Sequence, residues 1–413
     1  WPISRRRWYH TEIPIWYADG GRVLVLPPAG TYVRPWCEEP PNGSICVDRE
    51  TRDVIGTIDE NPYHDIVGEE KVFDTWMDSS NSNLFVSGFG RDEVDFSKTF
   101  PTSLRPQGKE IVRTWLYYTL LKSVHLLDKP AFQSVWIDGL GMDPWGRKMS
   151  KSWGNGIDAD SVLDCGLSGK TGSWQIRGPE GKTVKLKANK IGSECFRLWK
   201  AAEAQVGDDF HINPEEIEAK YFGVLTKIFN VARFASQFPV ANEKPDSIMP
   251  EDQWILSEYD KLVSNTKVHW EQIDIYSATQ GVKTFLTGIF SSHWMELAKS
   301  RMYDFDQSSH WTIHQILRGC LKLFSPVCPL FCHHLSTTLY GESTMNADTY
   351  PVKLGYTIDN LAEVTQAIVS FNTDVWKSKK MLNLSLKSEI SDVEIPLVLA
   401  EYEDGLTAMH NLL

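Results

Sequence analysis

The sequence predicts an α/β domain followed by an all-α domain with a small α/β appendage. In the first 164 residues, short apolar segments alternate with turns that contain Pro and Gly, a pattern typical of strands. From His211 onward, apolar residues recur at helical spacing over 252–270, 276–303 and 309–340. The first pattern indicates part of a parallel sheet, and the second indicates a helical bundle.

The composition is that of a folded protein, and its charge excludes a surface that is basic throughout. The chain has 413 residues, enough for two or three domains, and 42% of them are hydrophobic. The formal charge is 42 − 54 = −12, so binding to a nucleic acid would need a local stripe of cations. We expect no membrane partner, because the sequence has no run of 18 apolar residues. Seven cysteines, an odd number, favour reduced thiols and a cytoplasmic protein.

The α/β domain is predicted over residues 1–164, and its last helix and strand are followed by a loop. Ile111–Leu127 has a broad apolar face and predicts a helix, and Ser134–Gly139 predicts a strand that follows it. A helix between apolar strands is the unit from which parallel sheets are built. This alternation, which ends in a loop, therefore indicates part of a parallel sheet.

A junction is predicted over 165–208, because the composition changes there. The segment Gly166–Gly192 is rich in Gly and Lys. Within it, Trp174–Arg177 and Thr183–Lys187 alternate on either side of the turn Gly178–Gly181. This pattern predicts an exposed β-hairpin.

The helical domain is predicted over 209–350 and the appendage over 351–413. Asn213 followed by Pro214 and two Glu residues is typical of a helix start. In the appendage, a helix near 360–378 precedes the apolar segment Val393–Leu399. This combination predicts a small α/β element.

The motif that indicates chemistry is Lys148-Met149-Ser150-Lys151-Ser152, which follows a strand and a Gly-rich turn. One interpretation is an exposed, solvated loop. The other is that two lysines on a mobile loop neutralise charge as it develops on a leaving pyrophosphate. Gly154 and Gly156 would give such a loop room to move.

This pentapeptide resembles the second signature of the class I aminoacyl-tRNA synthetases, and the resemblance covers nearly the whole chain. Phe73–Ser80 (FDTWMDSS) is closest to the valyl enzymes, and Leu104–Trp115 is similar to valyl enzymes of archaeal type. Cys195–Ala202 resembles the junction before the anticodon-binding bundle, and Trp1–Trp8 resembles the re-entry from the editing domain. The resemblance implies the remainder of a Rossmann-like catalytic domain followed by a helical anticodon-binding domain.

The resemblance also implies which residues contact ATP. Lys148 and Lys151 would bind its phosphates, as the catalytic cations, while Ser150 and Ser152 organise the loop. The positions that match the family's ribose and adenine contacts are Gly108, Glu110, Gly139 and Met142. The family often has Asp where this chain has Glu110, so that position departs from the pattern.

Three residues match the walls of the amino-acid pocket: Trp76, Ile111 and Trp115. Rigid indoles and a β-branched wall would form a narrow apolar slot that suits a small branched substrate. A large aromatic residue taken singly is more often part of a core. Their position inside two matched motifs favours the pocket.

The implied reaction joins valine and ATP to give valyl-adenylate and then transfers valine to the terminal ribose of tRNA-Val. Mg²⁺ would bridge the ATP phosphates, and the enzyme is expected to be a monomer. Two alternatives remain open. One is an isoleucyl enzyme, and the other is a tRNA-binding protein that is no longer catalytic.

The first class I signature, His-x-Gly-His, does not occur in the sequence, and neither does the family's editing domain. The chain also begins at Trp1 without an initiating Met. We therefore expect a piece of a longer enzyme that is inactive, or nearly so, by itself.

No metal site is predicted, and zinc is not expected. Family members often carry two Cys-x-x-Cys knuckles in the module that corresponds to about 17–70, but here the first position reads Ala18–Gly21. Only Cys37 and Cys46 remain nearby, and two thiols do not make a four-ligand site. The cluster Cys328–His334 lies in an apolar helical stretch, which favours core packing.

The densest basic patch is on the predicted hairpin and comprises Lys170, Lys182, Lys185, Lys187 and Lys190. A solvated face is the common interpretation of such a patch. The functional alternative is contact with the inner corner of tRNA, because clustered lysines neutralise phosphates.

Overall fold

A computed structural model describes residues 2–164, 173–345 and 348–413. The chain divides into two compact units, Trp1–Asp138 (the N-terminal unit) and Gly139–Leu413 (the C-terminal unit). The first is α/β and the second is mainly helical, so the predicted fold class is confirmed. The domain boundaries predicted at 164, 208 and 350 stay predictions. Within the described residues, no helix has the length and apolar character needed to cross a membrane.

The N-terminal unit contains nine strands and four α-helices in its described residues. The strands are β1 (Ser4–Arg5), β2 (Trp16–Ala18), β3 (Val23–Leu26), β4 (Ile45–Asp48), β5 (Val54–Thr57), β6 (Val67–Gly68), β7 (Val72–Phe73), β8 (Thr102–Gly108) and β9 (Phe132–Asp138). The helices are α1 (Thr75–Ser79), α2 (Ser82–Ser87), α3 (Glu93–Thr99) and α4 (Tyr117–Leu127).

Five of these strands form a small antiparallel sheet in the order β5-β4-β3-β2-β6. Alternate residues point inward and build its core, as Trp16, Val25 and Cys46 do. The turn after β2, at the predicted remnant of a knuckle, is held by Asp65. Its carboxylate accepts hydrogen bonds from the backbone amides of Asp19 (3.0 Å) and Gly20 (2.7 Å).

Strands β8 and β9 pair in parallel, from Thr102 opposite Phe132 to Gly108 opposite Asp138. The connection between them is the predicted helix, but its first turns differ from an α-helix. Lys109–Ile111 is a 3₁₀ turn and Val112–Leu116 is a π-helical turn, after which α4 continues. Single π-helical turns are frequent at functional sites.

The C-terminal unit contains four short strands and eleven α-helices in its described residues. The strands are β10 (Gly141–Met142), β11 (Ser173–Arg177), β12 (Thr183–Lys187) and β13 (Phe210–His211). The helices are α5 (Ala159–Asp164), α6 (Gly192–Glu203), α7 (Pro214–Ile217), α8 (Gly223–Ala235), α9 (Pro250–Glu271), α10 (Ile275–Thr284), α11 (Met295–Tyr303), α12 (Gln307–Phe324), α13 (Pro329–Tyr340), α14 (Leu361–Met381) and α15 (Glu403–His410).

The helices of this unit bury one continuous apolar core. Trp254, Phe290, Trp294 and Ile316 are fully buried within it. The predicted stretch 309–340 is two helices, α12 and α13, because Pro interrupts the backbone hydrogen bonds between them. Asn213 caps α7 as predicted, and its side chain accepts a hydrogen bond from the amide of Glu215 at 3.2 Å.

The appendage differs from its prediction. The appendage was predicted over 351–413 as a small α/β element, but at its apolar segment the described chain forms a 3₁₀ turn over Leu397–Tyr402 and then α15. Pro396 lies inside the apolar segment and has no amide hydrogen for a sheet ladder. A single bridge between Ile390 and Leu412 is the only β pairing in these residues.

Candidate functional site

The carboxyl ends of β8 and β9 are the first candidate position, because ligands of open α/β sheets bind outside the carboxyl ends of parallel strands. Gly108 ends β8, and Glu110 follows two residues later. A Cβ atom at position 108 would come within 2.3 Å of the Glu110 carboxylate. Glycine is therefore required here unless the Glu110 side chain moves.

Gln107, which the sequence interpretation missed, precedes this glycine. Its side chain is buried, and neither its amide nitrogen nor its amide oxygen has a hydrogen-bond partner among the described residues. Leaving such a group unpaired costs about 1–3 kcal/mol. A buried, unpaired amide next to the predicted ribose contacts is a group that a bound ligand could satisfy.

Trp115, predicted as a pocket wall, is a core residue of the N-terminal unit with only 6% of its surface exposed. It stacks on Phe132, and the Arg105 guanidinium lies 3.8 Å from its ring centroid. Its indole Nε1 donates a hydrogen bond to the backbone oxygen of Ser79 at 3.0 Å. Trp115 therefore ties the π-helical turn to the end of α1.

Trp76 and Ile111, the other two predicted wall residues, pack against the same apolar cluster as Trp115. The structure thus brings all three together. Trp76 also lines an open cavity of about 610 Å³, together with His10, Thr75, Asp78, Ser79, Asn81, Ser82 and Phe85. Neither Ile111 nor Trp115 is among the residues that line this cavity.

Helix α1, which carries Trp76, is held at both ends. At its start, Asp74 accepts a hydrogen bond from the amide of Trp76 at 3.0 Å and pairs with Arg5 at 2.9 Å. At its end, Thr119 donates to the carbonyl oxygen of Ser80 at 3.1 Å, and Lys122 donates to Ser80 Oγ at 2.8 Å and to the carbonyl oxygen of Met77. These bonds satisfy carbonyl groups that a helix end leaves unpaired.

In the C-terminal unit, the predicted adenine segment lies against the strand β13. Met142 pairs in parallel with His211, and the amide of Leu140 binds the Asp209 carboxylate at 2.8 Å. A Cβ atom at Gly139 would lie 1.6 Å from the carbonyl oxygen of Asp208. Only glycine allows this close approach of the two backbones.

The lysine loop (residues 148–152) is organised by a buried pair, Asp143 and Asn155. The Asn155 amide donates to Asp143 Oδ2 at 2.9 Å and to the carbonyl oxygen of Lys148 at 3.2 Å. Its own oxygen accepts a hydrogen bond from the amide of Ser150 at 2.9 Å. Asn155 therefore holds both the first and the third residue of the predicted loop.

Asp143 holds the turn that enters the loop. It accepts hydrogen bonds from the amides of Trp145 (3.0 Å) and Arg147 (2.9 Å), and it pairs with the Arg147 guanidinium at 2.7 Å. Burial opposes its ionisation, but the hydrogen bonds from Asn155 and Arg147 outweigh burial and lower the pKa of Asp143. The carboxylate is therefore a stable anchor at neutral pH.

The two lysines of the loop remain exposed. Among the described residues, no ion pair involves Lys148 or Lys151. The hydroxyl groups of Ser150 and Ser152 lie 3.0 Å apart, and Ser150 Oγ also accepts a hydrogen bond from the amide of Trp153 at 3.2 Å. The predicted organising role of the serines fits this turn, which presents two unneutralised ammonium groups to solvent.

Sequence reasoning missed Asp143 and Asn155, although a signal was available. Both flank the pentapeptide at short range, and short polar side chains in such positions commonly bind backbone groups. In the described part of the chain, no group of three or more His, Cys, Asp or Glu side chains could hold a metal ion. Cys46 lies in the core of the antiparallel sheet, whereas Cys37 is exposed.

Two family profiles match the chain. The one described as tRNA synthetases class I (I, L, M and V) matches residues 1–213, and the one described as anticodon-binding domain of tRNA ligase matches residues 252–395. Among curated relatives, the valine–tRNA ligase of Aeropyrum pernix is 33% identical over 99% of this chain and 47% of its own length. The valine–tRNA ligase of Nanoarchaeum equitans is 32% identical over the whole chain and 49% of its own length. The chain thus spans about half the length of these relatives.

Solved structures share the fold. A ternary complex of Agrobacterium radiobacter LeuRS with tRNA and LeuAMS aligns with a TM-score of 0.58 at 16% identity, over 86% of this chain and 43% of that one. Mycobacterium tuberculosis methionyl-tRNA synthetase in complex with methionyl-adenylate aligns with a TM-score of 0.50 at 19% identity, over 64% and 50%. At these identities the likeness concerns the fold alone.

Proposed function

Because the chain belongs to the class I tRNA synthetases, we propose that it is part of a valine–tRNA ligase. The reaction would be the condensation of valine with ATP to valyl-adenylate and pyrophosphate, followed by transfer of valine to the terminal ribose of tRNA-Val. The single observation that carries the choice of valine is the similarity to archaeal valine–tRNA ligases along the whole chain.

In the C-terminal unit, Lys148 and Lys151 would bind the triphosphate of ATP. Their exposure and their lack of an ion pair among the described residues support this role, because a neutralised lysine has little attraction left for phosphate. Asn155 would position them through its bond to the Lys148 carbonyl oxygen. Gly139 and Met142 would lie beside the adenine.

Charge accounts for the expected gain in rate. When the bond between the α- and β-phosphates breaks, negative charge grows on the leaving pyrophosphate. Two ammonium groups on an anchored loop stabilise this charge more in the transition state than in the ground state, which raises the rate rather than only the affinity. Mg²⁺ would enter with ATP as part of the substrate, and no step here depends on a protein-bound metal.

In the N-terminal unit, Gly108 and Glu110 would contact the ribose, and Trp76 would line the side-chain pocket, with Ile111 and Trp115 packed behind it. The shared apolar cluster of these three residues supports the pocket assignment. Since Trp76 lines the open cavity, we assign it direct contact with the substrate. Trp115 would act mainly by supporting α1.

The test is amino-acid-dependent exchange of pyrophosphate into ATP, measured on the product of the full reading frame that encodes this chain. Valine, isoleucine and threonine are compared at equal concentrations. We expect the highest kcat/KM with valine. A clear preference for isoleucine would change the substrate, and tRNA binding without any exchange would favour a non-catalytic tRNA-binding protein.

A further inference from the structure

The hairpin formed by β11 and β12 has two chemically different faces. The strands pair antiparallel with Ile176 opposite Val184 and Arg177 opposite Thr183, which confirms the predicted hairpin. Ile176 and Leu186 are buried in the core of the C-terminal unit. The residues that alternate with them form the outer hairpin face, which comprises Gln175, Arg177, Thr183, Lys185 and Lys187, all exposed.

The outer hairpin face is positively charged and lacks acidic residues. Within the described ranges, no ion pair involves the side chain of Arg177, Lys185 or Lys187. Lys182, at the turn, is instead paired with Glu180 at 3.3 Å and does not belong to this face. A cluster of cations without a carboxylate partner among the described residues, in a chain of net charge −12, is a local attraction for a polyanion. Lys170 of the predicted patch lies outside the described residues.

The hairpin is fixed beside the lysine loop. The amide of Arg177 donates to the carbonyl oxygen of Gly154 at 3.0 Å, and the Arg147 guanidinium donates to the carbonyl oxygen of Arg177 at 2.6 Å. At the other end, Glu215 accepts a hydrogen bond from the amide of Lys187 at 2.7 Å. The backbone that carries the cations of the outer face is therefore held in place before any ligand binds, which lowers the cost of binding.

A cleft of about 280 Å³ adjoins this face between the hairpin and the lysine loop. It is lined by Arg147, Ser152, Trp153, Arg177, Gly178, Pro179 and Gly181. Trp153 is 57% exposed and the neighbouring Trp145 is 39% exposed. Exposed indoles beside arginine are the combination on which unpaired bases stack.

We propose that the outer hairpin face binds the sugar-phosphate backbone of an RNA strand and that Trp153 stacks on an unpaired base of it. Cations on one face of a strand repeat about every 7 Å. They form a row rather than a convergent pocket, and a row suits a repeating polyanion better than a free phosphate. That this RNA is tRNA rests on the proposed function.

The experiment measures binding of a fluorescently labelled tRNA-Val transcript to this chain over a range of salt concentrations. The double variant Lys185→Glu, Lys187→Glu is compared with Lys98→Glu, Lys129→Glu, which makes the same charge change at exposed positions outside both the hairpin and the anticodon-binding match. We expect affinity at low salt to fall at least tenfold for the first pair only. The slope of log K against log salt should become shallower by about two, one for each lost phosphate contact.

Trp153→Ala separates stacking from charge. We expect affinity to fall about tenfold while the salt slope stays that of the wild-type chain, because a stacked base releases no counterion. Melting temperatures establish that the variants fold. If the Glu pair does not fold, Lys185→Gln with Lys187→Gln replaces it, with the same direction of change.

The proposal is overturned if the hairpin pair binds tRNA as tightly as its charge-matched control. It is also overturned if the hairpin pair loses binding to polyglutamate or to vesicles containing phosphatidylserine but keeps its affinity for tRNA. Pyrophosphate exchange tests the proposed function separately. Exchange with valine together with unchanged tRNA binding by the variants refutes only this inference, whereas loss of RNA binding without any exchange refutes only the ligase.

Discussion

The indole Nε1 of Trp115 donates a hydrogen bond to the carbonyl oxygen of Ser79 at a distance of 3.0 Å. This bond joins the two segments whose sequences resemble valyl enzymes, and its two residues are 36 positions apart in the chain. The structure therefore indicates different roles for Trp76 and Trp115, which the sequence predicted to have the same role. Trp115 supports α1 from within the core, and Trp76 on α1 faces a cavity.

The two indoles should therefore respond differently to substitution. Trp76→Ala is expected to widen the cavity and raise the ratio of kcat/KM for isoleucine to that for valine, with a small effect on stability. Trp115→Ala is expected to destabilise the fold by about 3–5 kcal/mol, the usual cost of truncating a buried aromatic residue. Pyrophosphate-exchange kinetics measure the selectivity of both variants, and thermal unfolding measures their stability. If Trp76→Ala and wild type have equal selectivity, the assignment of Trp76 to the pocket is wrong.

Lys151→Ala is expected to reduce the rate of adenylate formation on the order of a hundredfold, as the loss of one transition-state charge contact does elsewhere. The KM for valine should change little. Lys182→Ala is the matched control, because Lys182 is an exposed lysine that is already paired with Glu180. Equal rates for the Lys151 variant and its control would exclude the assigned role.

Asn155→Ala should lower kcat while leaving the KM for valine nearly unchanged, because Asn155 positions the loop and does not touch the amino acid. Removing a buried, bonded amide should also cost about 1–3 kcal/mol of stability. A Ser264→Ala variant, which removes one hydroxyl from a helix of the C-terminal unit, serves as a control for general destabilisation. If kcat is retained despite lower stability, Asn155 is only structural.

Gln107→Leu is expected to keep or raise the stability of the fold while it weakens substrate binding. A buried amide without a partner lowers stability, so replacing it with an apolar side chain should leave stability unchanged or raise it. If a substrate satisfies this amide, the KM for ATP or valine should rise about tenfold. Unfolding and exchange kinetics are measured on the same preparation. A more stable variant with unchanged KM values would show that no substrate contacts Gln107.

The burial of Lys122 should make the free energy of unfolding depend on pH. Burial lowers its pKa from 10.5 to about 8, although nearby Asp78 acts in the opposite direction. Between these values the unfolded chain binds more protons than the folded one, so stability due to Lys122 rises as pH rises. The unfolding free energy of wild type relative to Lys122→Met should increase from about pH 8 to about pH 10, on the order of 1 kcal/mol because the group is partly exposed. A difference that stays constant over this pH range would contradict this.

Local patterns in the sequence were sufficient to predict several features of the fold. The Asn213 cap, the hairpin around Gly178–Gly181 and the family resemblance are confirmed, because each depends on residues that are close together in the chain or on a short motif. The predicted α/β character of the appendage does not extend to a strand at the apolar segment Val393–Leu399, because apolar content alone does not report that Pro396 has no amide hydrogen. The assigned roles of the site residues stay predictions.

By itself, the sequence determined the fold class and the family, since motif and periodicity are properties of the chain, whereas the role of the lysine loop stays a prediction. Only the tertiary structure decided which groups are buried, paired or left free. It placed Trp115 in the core and Trp76 at a cavity, joined Asn155 to the loop, and, as far as the described residues show, left the cations of the outer hairpin face without carboxylate partners. The physical reason is that burial and hydrogen bonding depend on residues brought together from distant positions, which no local pattern records.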